Sequence, residues 1–142
     1  MASQALHGLL VMHIQAPFLQ LSQYGSLSGF MILLIDKLNQ VDNWKIQNID
    51  DFQEMYRDRD RVKTFCSMYG IYEELGTLVH EDLLHIRLVA RMIGYYKRDW
   101  ERWGPLIKQM RVIKNDPRLW IEAEYLYERL TEFGEQNPEY NI

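Results

Sequence analysis

The sequence predicts an all-α fold: a small helical bundle with a kinked central helix and a hydrophobic N-terminal helical arm. Three observations carry this prediction. Apolar residues recur at three- and four-residue steps along most of the chain, which lines one face of a helix. Strict alternation of apolar and polar residues, the mark of a strand, is almost absent. Gly, Pro, Asp and Ser punctuate the periodic segments where helices start and stop.

The first helix is read over about Leu27 to Val41, capped by Ser26 or Ser28, with Leu27, Met31, Leu34, Leu38 and Val41 on one face. QVDNWKIQNI is a connector. Asp50 is the expected N-cap of a long helix reaching about Leu75 and closed by Gly76. Its inward residues are Phe52, Met55, Val62, Phe65, Tyr69 and Tyr72, with the charged run RDRDR (57–61) on a solvated face. The next helix starts near Asp82. It carries the clearest pattern in the chain: Val89, Ile93, Tyr96, Trp100, Trp103, Ile107 and Met110 at alternating steps of four and three. Gly104-Pro105 falls inside that seam and predicts a kink or a break, because Pro removes a backbone donor. The last helix is expected to open on Asp116 as N-cap with Pro117 at its first position, and to end before Gly134. Leu119, Ala123, Leu126, Leu130 and Phe133 form its buried stripe, and EQNPEYNI is a tail that frays. This divides the chain into an arm (1–44), a helical domain (45–134) and a frayed tail (135–142).

Composition narrows the function classes. The chain of 142 residues is long enough for one domain, and its 47% hydrophobic and 25% charged residues are wrong for a disordered tail. Sixteen basic residues against twenty acidic ones give a net charge of −4, which argues against an all-over nucleic-acid clamp. One cysteine leaves no internal disulfide and no Cys-based zinc site. The charge is unevenly spread. Residues 1–35 contain no Asp, Glu, Lys or Arg, so all charges lie from Asp36 onward. Arg87 to Arg118 holds nine bases against three acids, and Leu119 onward holds six Glu against Arg129. A basic helix followed by an acidic one suggests antiparallel neighbours with complementary faces.

The opening MASQALHGLLVMHIQAP lacks the basic start of a secretory signal, so none is expected. Residues 17–35 are long enough and uncharged enough to span a bilayer, but Gln20, Ser22, Gln23, Ser26 and Ser28 interrupt them. Two readings stay open for the arm: a helix or hairpin buried against protein, or a membrane anchor.

Three segments, EELGTLVHEDLL (73–84), WERWGPLIKQMR (100–111) and NDPRLWIEAEYLYERL (115–130), together resemble a prokaryotic family described only as a domain of unknown function. The resemblance covers roughly residues 50–132 and implies a small helical protein. In many members a hydrophobic membrane segment precedes the domain. It implies no activity, cofactor or site residue.

The candidate chemistry is sparse. His80, Glu81 and His85 read H-E-x-x-x-H, one residue longer than the zincin spacing; five residues turn the two His about 140° apart on a helix. Capping and a Glu81–His85 surface pair are the expectation. Glu122, Glu124 and Glu128 resemble an acid–base or cation site but read as an acidic helix face opposite Arg87, Arg91 or Arg111. The basic residues around Tyr95, Tyr96, Trp100 and Trp103 could track a nucleic acid or an anionic lipid, yet most of those rings lie on the apolar seam. Cys66 is expected to be a buried thiol.

The sequence therefore points to a non-enzymatic helical interaction domain with no catalytic, cofactor or metal residues, self-associating or binding an unknown protein. The alternative is a membrane-tethered helical domain anchored through residues 17–35. The candidate interaction surface comprises Phe30, Ile32, Leu34, Arg87, Arg91, Arg98 and Arg102. The expected location is the cytoplasm or the cytoplasmic face of the membrane; nucleic acid is not an expected partner.

Overall fold

The computed structural model describes the chain from Leu27 to Ile142, apart from the side chains of Leu27, Ser28 and Phe30. The predicted anchor (17–35) and the arm therefore lie largely outside the described residues. The described residues form six α-helices and no strand: α1 (Leu27–Asp42), α2 (Ile49–Arg57), α3 (Arg59–His80), α4 (Ile86–Ile93), α5 (Tyr96–Ile113) and α6 (Ile121–Gln136). A 3-10 turn, Pro138–Tyr140, follows. This is the all-α bundle that the periodicity predicts. The longest helix, α3, is its spine: α6, α1 and α2 all pack on it, while α4 and α5 close over α6.

All seven residues of the aromatic seam are buried, from Val89 to Met110. Trp103 meets Phe52 of α2 and Phe65 of α3 at ring separations of 5.8 and 5.4 Å, so the seam is where three helices join. The seam is interrupted at Gly94–Tyr95, between α4 and α5, whereas α5 stays helical from Tyr96 to Ile113 through Pro105. Pro105 and Glu101, the residue whose carbonyl it leaves unbonded, are both exposed, so water can take up the lost bond.

Several helix ends differ from the sequence reading, for identifiable reasons. RDRDR is a helix boundary instead of a continuous face: Asp58 ends α2 and caps α3, accepting the N–H groups of Asp60 and Arg61 at 3.1 and 3.2 Å. The N-cap of α2 is Asn48, which accepts from the Asp51 N–H, instead of Asp50. Gly76 does not stop α3, which runs on to His80. The stop is Asp82, in the left-handed region at φ 59°. There the Asp82 and Leu83 N–H groups return to the Val79 and Leu78 carbonyls, the paired bonds of a Schellman end. Asn115 ends α5 the same way at φ 51°, with Asn115 and Asp116 returning to Val112 and Arg111. Asp82 was the expected start of the next helix; that start belongs to His85, whose Nδ1 accepts the Arg87 N–H.

Gly134 lies inside α6 instead of beyond it. Past it, Tyr140 packs edge-on against Phe133 at 4.9 Å, and Ile142 borders the backbone of Gly134 and Gly94. Leu34 and Val41 of α1 belong to the same buried core as the later helices.

Candidate functional site

The densest polar structure lies where α6 begins. Asp116 does not cap this helix; its side chain accepts the Arg118 N–H at 3.3 Å, in the turn before it. The residue preceding α6 is Trp120, in the left-handed region at φ 53° and with no side-chain cap of its own. The helix therefore starts with orphan N–H groups at the positive end of its dipole. Glu73 of α3 satisfies them from across the bundle: its Oε1 accepts the N–H groups of Glu122 and Ala123 at 3.1 and 3.0 Å. Burial pushes this carboxyl up to about 7, with the neighbouring Glu122 adding to the rise, while the two N–H bonds and Arg111 pull the other way.

Such a cap requires α3 and α6 to touch, and Gly76 permits it. A Cβ there would lie 2.6 Å from the Glu122 carbonyl carbon and nearer still to its oxygen. Arg111 of α5 holds the other side of the entrance. It donates to the Leu119 carbonyl at 2.8 Å and the Trp120 carbonyl at 3.4 Å, and pairs with Glu124 at 2.7 Å. Lys108 also pairs with Glu124, at 3.1 Å. Burial raises the Glu124 carboxyl, but the two cations outweigh it and hold it below its ordinary range. Of the three arginines considered opposite this acidic face, Arg111 is the one that engages it. Tyr96 completes the ring, donating to the Ala123 carbonyl at 2.8 Å. The inverted backbone at Trp120 turns its indole inward, toward Tyr69 at 5.8 Å and the Tyr56 hydroxyl at 3.4 Å.

The two histidines serve separate ends. His85 caps α4, while His80 meets Glu122 at 2.8 Å and stacks on Tyr125 at 4.0 Å. His85 is thus committed to the α4 cap, and Glu81 instead ends α3, its N–H returning to the Thr77 carbonyl at 2.9 Å. A shallow groove of about 210 Å³ lies beside His80, lined also by Ile121, Glu122, Glu124, Tyr125 and Glu128. No group of three or more His, Cys, Asp or Glu among the described residues is arranged to hold a metal ion. Elsewhere, Asp99 accepts from the Tyr69 hydroxyl at 3.0 Å, and burial pushes its carboxyl up to about 6. Cys66 is half-buried instead of buried, and that burial raises its thiol.

The candidate interaction residues separate. Leu34 is fully buried and so belongs to the core instead of a surface. Ile32, 68% exposed, lies on the opposite face of α1 with Ile35, 47% exposed. The Phe30 side chain is outside the described residues. Arg87, Arg91 and Arg98 are exposed. Arg102 is already engaged, pairing with Asp42 at 3.1 Å and lying 4.4 Å over the Trp103 ring. Glu73, Gly76 and Asp99 were missed. Nothing in a linear reading marks an acid that caps a helix some fifty residues away, although α6 has no suitable residue at its own start.

Fold and site together define a small helical bundle whose buried polar groups lock one helix into place. The chain belongs to the family described as a domain of unknown function (DUF4760), whose model matches residues 30–130. No curated protein and no solved structure matches it. The three segments that carry the resemblance meet at the α6 entrance: Glu73 and Gly76 from the first, Arg111 from the second, Trp120 to Glu124 from the third.

Proposed function

We propose that this chain is a non-enzymatic helical interaction domain that self-associates through the outer face of α1. The observation that carries this reading is that the stretch of α1 before Asp36 is apolar on its outer side as well as its inner one. Leu34 and Val41 fill the core, while Ile32 and Ile35 project outward. No charged residue occurs in the helix before Asp36. A helical stretch that is hydrophobic all round ordinarily has neighbours all round, and among the described residues the main neighbour of α1 is α3, on one side. A second copy presenting the same face supplies the other.

The polar groups favour binding over catalysis. Glu73, Arg111, Glu124, His80 and His85 are each spent on a helix end or an ion pair within the bundle.

The test is the mass of the full chain in detergent-free buffer, by light scattering, against the Ile32→Glu/Ile35→Glu variant. Self-association predicts an oligomer that the substitutions convert to a folded monomer. A wild-type monomer would overturn the reading. So would a chain that floats with lipid vesicles and is extracted only by detergent, which would instead support the membrane-tethered alternative.

A further inference from the structure

A second surface, distinct from α1, carries its own inference. Arg87, Arg91 and Arg98 run along the outside of α4 and the start of α5, four and then seven residues apart, with half-exposed Leu88 and Tyr95 between them. None of the three has an ion-pair partner among the described residues. Arg87 occupies the first turn of α4, which holds no acid and where a positive charge opposes the helix dipole. These arginines therefore add nothing evident to the stability of the chain that bears them.

The outer face of α6 and the turn beyond it carry the opposite charge. Glu128, Glu132, Glu135 and Glu139 are exposed and spaced four, three and four residues apart. Glu132 touches its own Arg129 at 3.3 Å, while Glu128, Glu135 and Glu139 make no ion pair among the described residues. On α6 itself Glu128, Glu132 and Glu135 lie four and three residues apart on one helix face, and Glu128 and Glu132 repeat the four-residue step of Arg87 and Arg91 on α4.

We propose that the arginine row on α4–α5 of one copy docks against the glutamate row on α6 of a second copy. An anionic lipid surface would also attract the arginines, but an exposed row of opposite charge is part of this chain. The contact is a solvated one, so it adds register and salt sensitivity to an association more than it adds strength. It rests on different residues from the α1 contact, and either can fail alone.

The experiment is sedimentation equilibrium of the full chain, with three surface variants: Arg87→Glu/Arg91→Glu/Arg98→Glu, Glu128→Arg/Glu132→Arg/Glu135→Arg, and the milder Arg87→Gln/Arg91→Gln/Arg98→Gln. Circular dichroism establishes that each variant is folded. Self-association should weaken about tenfold or more in either reversal variant, less in the Gln variant, and in the wild type as salt rises from about 50 to about 500 mM. An equimolar mixture of the two reversal variants should restore it. Wild-type association by either reversal variant, or no rescue in the mixture, would overturn the proposal. Loss confined to the arginine variants, together with loss of their flotation on phosphatidylserine vesicles, would overturn it in favour of a lipid surface. If Ile32→Glu/Ile35→Glu abolishes association while the reversals do not, this proposal falls and the α1 reading stands.

Discussion

Gly76→Ala and Gly70→Ala make the same chemical change in the interior of the same helix, and the structure gives them opposite signs. In a solvent-facing helix interior, replacing Gly with Ala stabilises by about 1 kcal/mol, because the unfolded chain loses freedom and the helix gains propensity. A Cβ at Gly70 meets nothing within 4 Å, so that gain should appear undiminished. At Gly76 the same atom would lie 2.6 Å from the Glu122 carbonyl carbon, a backbone atom that no rotamer change can move away. α6 must then retreat, and its retreat lengthens the two bonds from Glu73 at 3.0 and 3.1 Å. Overpacking costs about 1–3 kcal/mol and a weakened cap about 1 kcal/mol more, which outweighs the propensity gain. The net expectation is a loss of about 1–3 kcal/mol for Gly76→Ala, read as a lower urea midpoint with an unchanged slope. Gly70→Ala should raise the midpoint. A Gly76→Ala variant as stable as the wild type, or both variants shifting in the same direction, would refute the close approach of α3 and α6.

Other consequences can be checked in the same assay. The folded pKa of Glu73, about 7, lies above its unfolded value of 4.5, so its stability contribution is whole below about pH 4.5 and is lost as pH rises through 7. The shift corresponds to about 3 kcal/mol. Asp99, raised to about 6, works in the same direction over a narrower window. Glu73→Gln should flatten most of this decline in urea titrations between pH 4.5 and 7.5; an unchanged slope would show that Glu73 is not buried in its charged form. Arg111→Met removes the shorter of the two ion pairs to Glu124 together with two hydrogen bonds to the turn before α6, and should cost about 2–4 kcal/mol. Arg111→Lys should recover only part of that, because a single ammonium cannot reach both the carbonyls and the carboxylate. Full recovery by Lys would sink the forked geometry.

How much of this was legible in the sequence depended on the kind of signal. The seam from Val89 to Met110 was readable because burial acts on every third and fourth residue and leaves a repeated trace. Helix ends were less legible, because glycine and aspartate each have more than one use. Gly76 and Gly134 resembled stops, yet Gly76 is there for the approach of α6. Asp82 and Asn115 take the left-handed position that glycine usually fills, since their short polar side chains tolerate it. Asp116-Pro117 had the form of a helix start, but the helix begins only at Ile121 and borrows its cap from Glu73. Such a cap leaves no local pattern, because donor and acceptor meet only after folding. On the surface, Leu34 and Ile32 are two residues apart and equally apolar, and only the packing of α1 on α3 separates core from exterior.

The most direct test of the proposed self-association is the distance between two copies at residue 35. A spin label at Ile35→Cys in a Cys66→Ser background, measured by pulsed dipolar spectroscopy in the full chain, reads that distance. If two α1 helices pack face to face at the usual separation of about 8–10 Å, the labels should lie within roughly 20 Å and lose their coupling on dilution with unlabelled chain. An oligomer of the same mass showing no such coupling, or a monomer at every concentration tested, would contradict the account.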